Sequence, residues 1–445
     1  MMKHAAYIIL LFILLSNGNA QSNLHTLAGY RGSVSAARYL ASTHQLTESR
    51  FEINLNYNLW VANKSLSYGS IMDISRNNRL TSEDVESIIS ELDDNNRIGV
   101  GQDLLIVGLG LKTTIKNHPV TWNFTIADRF NTNVLIPKTL FQLLWQGNKQ
   151  FEGQTVDISQ TTMTGLYFRD FALGFATPLL EWDNWKSRVG LRLSYYQGLA
   201  GVSNPQNQFY FTTAPGAEYL DLDYNFDFRY TGIDDFSLFE TRGHGFGLSL
   251  GTTFTYKEAL NFDIALTDIG KINFNSKVYR VGEDNEFQFH GLGLEELINP
   301  QAYLDSLERI FTPTIDSLGD YSFAVKMGMR FSFITSWTFG KELQRRGPMI
   351  LSLLYSQGFS EQPGSTVSPE FSLMFHTRIL RHLVLGTNVT LGGFNNVAVG
   401  LHAGMHFKTF RFSLFSDNFT GFIFPDQATG AAGGLMLQFY FGQER

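Results

Sequence analysis

Several side chains in this 445-residue chain are spaced as chemistry would need them. Asp221, Asp223 and Asp227 recur at alternate positions of one segment, so their carboxylates share a face and could offer a hard cation such as Ca²⁺ several oxygens. A solvated ladder of acids paired with basic residues explains the same spacing more simply. His402 and His406 also share a strand face, yet four residues of extended chain separate them by about 13 Å, too far for one metal without ligands from other strands. Lys326 and Arg330 stand four apart on one face, and Arg192 and Arg378 fall at the same parity in their own segments. Cations so placed can line a path for a solute or partner, or pair with acids in a network that stiffens a closed lumen. Gly243-His244-Gly245-Phe246-Gly247 has the look of a nucleotide loop, but it opens a strand rather than a helix and no P-loop Lys follows. Its glycines instead leave room for an inserted segment or a kink in a wall. No Ser, His and Asp group at short range and Cys is absent, which removes thiol chemistry and leaves no short-range triad. The reading is a protein without enzymatic activity, cofactor or metal.

The elements that must position these residues alternate with period two. In residues 321–333 the odd positions (Tyr321, Phe323, Val325, Met327, Met329, Phe331, Phe333) are apolar and the even ones small or charged, which predicts one strand with a lipid face and a lumen face. Thirteen alternating residues suit a tilted strand crossing about 25 Å of hydrocarbon. On that reading Met327 faces lipid, while Lys326, Arg330 and Ser332 face the lumen. The same alternation marks strands near 51–59, 105–111, 120–126, 189–196, 220–230, 246–256, 260–266, 349–357, 371–379, 383–391, 396–408, 410–416 and 433–441. Amphipathic or capped segments predict helices at 82–92, 137–145 and 294–310.

Bulk composition agrees. Phe at 39, Gly at 41 and only 17% charged residues, with a mean hydropathy of −0.09, are too polar for a helical membrane protein and very aromatic for a soluble one. A net charge of −7 offers nothing to nucleic acid. Residues 1–20 read as a cleaved signal peptide, with Lys3 and His4 before a short apolar run and small residues at the end. Residues 21–50 read as a periplasmic or lumen-plugging lead-in, and 51–445 as the barrel. The expected fold is therefore all-β: a transmembrane antiparallel β-barrel of about 14 strands, within a range of roughly 12–16, carrying two or three short helices in loops or lumen. Short turns at 380–382 and 408–409 alternate with longer connections at 358–370 and 417–432, as periplasmic turns and outer loops do. Counting back along the chain places the 257–259 turn outside and points to an overlooked strand such as 286–290. The expected location is the cell outer membrane, with its lipid and the barrel-assembly machinery as partners.

Residues 137–148, from Pro137 through Leu140-Phe141, Leu143-Leu144 and Gly147-Asn148, resemble a segment of an uncharacterised Bacteroidota outer-membrane family, a domain of unknown function. Residues 190–198, 245–251 and Thr267-Asp268-Ile269-Gly270-Lys271-Ile272 are similar to strand and Asp-x-Gly turn segments of that family and of the wider FadL/PorV-like barrels. The lead-in lacks the Asn-Pro-Ala motif expected near the start of such proteins. The resemblance covers most of the chain, implies a barrel of about 14 strands and transfers no catalytic residue. It implies two competing functions. One is passive passage of a hydrophobic or amphipathic solute, as in FadL-like relatives; the other is a non-enzymatic scaffold for export or anchoring of a secreted surface protein, as in PorV-like, type IX secretion-associated relatives.

Overall fold

Phe51–Asn63 shows how the chain makes its wall. Phe51, Ile53, Leu55, Tyr57 and Leu59 remain partly exposed while Glu52, Asn54, Asn56, Asn58 and Trp60 are buried, so the polar side of this strand is the inside. That inversion of the soluble pattern recurs around the molecule. A computed structural model describes residues 50–67, 69–70, 81–289, 315–316, 321–340, 349–394, 397–426 and 428–442. The readings for 1–20, 21–49 and 294–310 lie outside the described residues.

Fourteen strands close the ring: β1 (Phe51–Asn63), β2 (Asn95–Ile115), β3 (His118–Pro137), β5 (Thr162–Trp182), β6 (Trp185–Thr213), β8 (Gly243–Tyr256), β9 (Leu260–Phe274), β13 (Arg330–Phe339), β14 (Met349–Gly358), β15 (Glu370–Arg378), β16 (Leu383–Gly392), β17 (Val397–His406), β18 (Phe410–Ser416) and β19 (Gly430–Phe441). Each pairs antiparallel with the next, and β19 closes on β1 from Phe51↔Phe441 to Ala62↔Gly430. Full closure leaves the ring no free edge. Outside it lie β4 (Thr155–Asp157), β7 (Leu220–Thr231), β10 (Tyr279–Phe289), β11 (Ile315–Asp316) and β12 (Phe323–Lys326). The α-helices in the described residues are α1 (Ser82–Glu91), α2 (Lys138–Gln146) and α3 (Thr420–Ile423).

One end of the barrel holds the start of β1, the end of β19 and the tight hairpins. Lys116 and Asn117 (φ 48° and 67°) take the left-handed pair that matches the twist of a two-residue hairpin, and Lys257 and Glu258 (φ 47° and 56°) take the same pair within the three-residue 257–259 turn. The 257–259 turn thus lies at the same end as 379–382 and 407–409, which corrects the count from sequence. The overlooked ring strand is β5. The segment 220–230 is a strand but not a ring strand: β7 pairs with the upper part of β6 and with β10, beyond the point where β6 meets β8. The total of 14 therefore survived one omission and one false inclusion. At the other end, α1 and α2 join through Leu66, Ile88, Ile89 and Leu92 against Val85, Phe141 and Trp145. Thr81 and Asp84 cap α1 reciprocally, and Lys138 Nζ donates to the Leu92 carbonyl at 3.1 Å where α1 ends.

The wall is uneven. β2, β3, β5 and β6 run 20–29 residues, whereas β13 to β17 run 9 or 10. Ten residues at about 3.3 Å each, tilted by about 40°, span about 25 Å, so the short side is all hydrocarbon-crossing and the tall side rises past it. Trp182, Trp185, Tyr256 and Phe262 stack near the turn end, an aromatic girdle at one interface. On the short side Leu353, Leu373 and Val389 form one outward row and are 46%, 52% and 43% exposed. Leu373→Arg should cost about 2–4 kcal/mol, read as a lowered midpoint of the heat-induced gel shift of the folded barrel. Unchanged stability would mean that this face does not meet lipid.

Residues 321–333 depart from the expectation. The segment is two strands, β12 and β13, with a break at 327–329. Before it the odd residues Phe323, Val325 and Met327 are buried; after it the even residues Ser332, Ile334 and Ser336 are. Parity flips across the break, so Met327 points inward, not to lipid, and Lys326 points outward. A run of uniformly apolar odd positions cannot reveal such a flip, because Phe is tolerated both in a lumen plug and against lipid.

Candidate functional site

The lumen is filled in layers by the inward side chains of the ring. Midway up the wall, above buried polar residues such as Ser336, Ser352, His376 and Gln438, Leu105, Ile334, Leu354, Met374, Phe415 and Met436, from six strands, pack into one apolar layer. One step toward the loop end lies a charge network. Arg129 of β3 donates to both carboxylate oxygens of Asp268 at 3.1 and 3.0 Å and to Asp103 at 3.2 Å, and it approaches Asp170 to 3.8 Å. Asp170, 1% exposed, also accepts from Arg192 at 2.7 Å. Above the network lies a second apolar cluster: Leu166, Phe168, Tyr196, Ile272, Phe274, Val278, Phe323, Val325 and Met327.

Local sequence explains this stacking. Asp268 sits in a bulge of β9, where Ser249 of β8 faces an excess of residues between the Leu248↔Ile269 and Leu250↔Leu266 pairs. Its φ of 56° is left-handed, a conformation Asp tolerates, and the bulge turns its carboxylate toward Arg129. Two residues on, a Cβ at Gly270 would lie 2.2 Å from the Phe246 carbonyl oxygen, so only glycine fits. The Asp-x-Gly segment is thus a bulge within a strand rather than a turn between strands. On the facing strand a Cβ at Gly247 would lie 2.0 Å from the Tyr196 hydroxyl, and the Tyr196 ring, edge-on to Phe168 at 5.3 Å, occupies the space that this glycine leaves.

The bulge coincides with the break in the next segment. β9 pairs with β12 from Phe274↔Phe323 to Lys271↔Lys326 and with β13 from Thr267↔Arg330 onward. Between them Asp268–Gly270 and residues 327–329 leave the ladder, joined by Met327 N–H donating to the Gly270 carbonyl at 2.9 Å. A small cleft, part of it open to solvent, adjoins this interruption. Leu166, Phe168 and Met327 give it an apolar side; Arg129, Asp268 and Arg330 give it a charged one. The connection 359–369 crosses the lumen to complete it. Arg330 donates to the Gly364 carbonyl at 2.6 Å, and Glu361 binds Arg97 of β2 at 2.8 Å.

The side chains singled out by sequence are dispersed. Arg192 faces the lumen within the network, and Arg330 lines the cleft. His402 and His406 are inward and 3% and 6% exposed, and Arg378 has the inward parity of Ser372, Met374 and His376 near the turn end. Asp221, Asp223 and Asp227 lie on β7, which pairs with the part of β6 beyond its junction with β8, and so stand away from the Arg129 network. Of these, Asp227 alone is buried. Burial opposes its charge, but hydrogen bonds from Arg229 and then Arg280 hold its carboxyl below the usual range. Lys326 is outward, for the reason given above. No group of three or more His, Asp and Glu among the described residues could hold a metal ion. Sequence reasoning missed Arg129, Asp103, Asp170 and Asp268, whose only signal was a charge at inward parity at one level of four strands. It also missed His376, whose ring meets that of His402 at 5.4 Å across Gly386 of the intervening strand.

A closed, lipid-facing ring whose inside is packed with its own side chains defines a transmembrane β-barrel. The chain belongs to a family of unknown function, DUF5723, which matches residues 45–417. No curated protein matches it. Solved structures with a similar course include the Ralstonia pickettii toluene transporter TbuX (9% identity, 92% of this chain and 94% of that one, TM-score 0.44). The toluene transporter TodX of P. putida is similar at 9% identity (94% and 95%, TM-score 0.43), as is a Pseudomonas aeruginosa FadL homologue (9%, 95% and 98%, TM-score 0.41).

Proposed function

We propose that this chain is an outer-membrane channel that admits a small hydrophobic or amphipathic solute at the loop end, with the hairpin end in the periplasm. The observation that carries the reading is the two-sided cleft beside the interruption of the wall. An apolar side can receive the body of a solute and a charged side its polar end. A break in the ladder is where a packed barrel can yield without losing its ring. Short turns at the side where β1 starts and β19 ends support the orientation.

Cells producing the protein should take up the hydrophobic probe N-phenylnaphthylamine faster than cells without it, and Leu166→Trp, which fills the apolar side, should abolish the gain. Equal uptake with and without the protein would sink the transport reading. A second reading, a non-transporting scaffold for a secreted surface protein, is favoured by the densely packed lumen and by the loop 232–242, whose Phe236, Leu238 and Phe239 are 48%, 40% and 89% exposed. Absent uptake together with a stoichiometric copurifying surface protein would support it.

A further inference from the structure

The tall side of the wall carries a belt of outward polar residues at a single level. Asp128↔Arg169, Arg169↔Gln197, Gln197↔His244 and His244↔Asn273 are successive register partners across five strands. Below it the outward residues are Phe171, Leu173 and Phe175 on β5 and Leu248 and Leu250 on β8. The belt therefore marks where hydrocarbon ends. Within it Arg169 donates to both oxygens of Asp128 at 2.6 and 2.8 Å, and the Tyr195 hydroxyl and His244 Nδ1 share a hydrogen bond of 2.6 Å.

One register step toward the hairpin end the pattern changes. Phe246 (74% exposed) pairs with Lys271, and Lys271 pairs with Lys326. Both lysines are exposed and outward, since their neighbours Ile272 and Val325 are buried in the lumen cluster. Directly opposed residues stand with Cβ atoms about 5 Å apart, and like charges so placed destabilise the pair. Neither ammonium forms an ion pair among the described residues. Lys271 lies twelve residues beyond the 257–259 turn, or about 25–30 Å up the wall after tilt and bulge, at the edge of the apolar band.

We propose that Lys271 and Lys326 together bind the phosphate of an outer-leaflet lipid, whose acyl chains lie on Phe246, Leu248 and Leu250 below. A phosphate monoester bridging both ammoniums relieves their repulsion, and long lysine stems reach from apolar surface to headgroup level. Asn273 and His244, next on the same face, offer donors to the remaining oxygens. The inference rests on the outer-membrane orientation but not on transport.

The test is native mass spectrometry of the full-length, detergent-purified protein with added dioleoyl phosphatidic acid or dioleoylglycerol. The wild type should retain phosphatidic acid and not dioleoylglycerol, and 20 mM inorganic phosphate, about a thousandfold over protein at the concentrations such spectra use, should not displace it. Lys271→Ser with Lys326→Ser should weaken phosphatidic acid binding about tenfold or more, some 1.4 kcal/mol, with the heat-induced gel shift unchanged. The double Lys→Arg variant should keep it. Equal retention of the two lipids by the wild type, equal phosphatidic acid binding by the Ser variant, or displacement by inorganic phosphate would each overturn the site. Failure of probe uptake with lipid binding intact would remove only the channel reading.

Discussion

Replacing Arg129 with Ala should destabilise the barrel by about 3–5 kcal/mol, because it leaves buried carboxylates without their cation. Asp103 and Asp268 would lose the charge that both hydrogen-bond, and Asp170 would retain Arg192. The Arg129 side chain is only 11% exposed, so little solvent is present to compensate. Urea unfolding of the refolded protein in lipid vesicles measures the loss. Arg129→Lys should recover part of it, since one ammonium keeps the charge but cannot make the paired contact with both Asp268 oxygens. Asp268→Asn in the Arg129→Ala background should also recover stability, giving a coupling of about 0.5–3 kcal/mol. A wild-type midpoint for Arg129→Ala would show that water fills the lumen at this level and that the network is not structural.

How far the sequence could lead depended on what alternation encodes. Period two separates the faces wherever one face meets lipid and the other meets polar neighbours, and Phe51–Asn63 was readable for that reason. The inward Glu52 and three asparagines leave no alternative register. The amphipathic helices α1 and α2 were legible from their caps and apolar stripes. Alternation fails where both faces are apolar. β5 was passed over because Leu166, Phe168 and Ala172 face inward while Tyr167, Phe171 and Leu173 face outward. The parity flip at Met327 was hidden for another reason: the odd positions of 321–333 are apolar throughout, and an apolar side chain suits a packed lumen as well as lipid. Alternation also says nothing about which strands neighbour one another, so β7 passed for a ring strand. The network around Arg129 was illegible for a related reason: its members lie on β2, β3, β5, β6 and β9, and only the closure of the ring and the bulge at Asp268 bring them to one level. His376 and His402 meet only because Gly386, between them in register, has no side chain to separate them.

Phe323→Ala combined with Met327→Ala should empty the cluster at the loop end without opening the ring. Phe323 stacks on Phe274 at 5.0 Å, and Met327 is 4% exposed. Large-to-small changes at such positions cost about 2–5 kcal/mol each, less than additively here because the two residues share neighbours. The ladders of the ring do not depend on either side chain, so the heat-induced gel shift should persist. What changes is access to the cleft beside the interrupted wall. Uptake of N-phenylnaphthylamine should rise above the wild-type rate, while single-channel conductance in planar bilayers should stay at the wild-type level. The difference follows from the order of the layers: the Arg129 network and the apolar layer of Leu105, Ile334 and Met374 lie in series below the cluster, and they still close the axis to ions. A rise in both quantities would place the only barrier in the outer cluster and make the solute path axial. A rise in neither would show that the cluster does not control entry, and the channel reading would lose its gate.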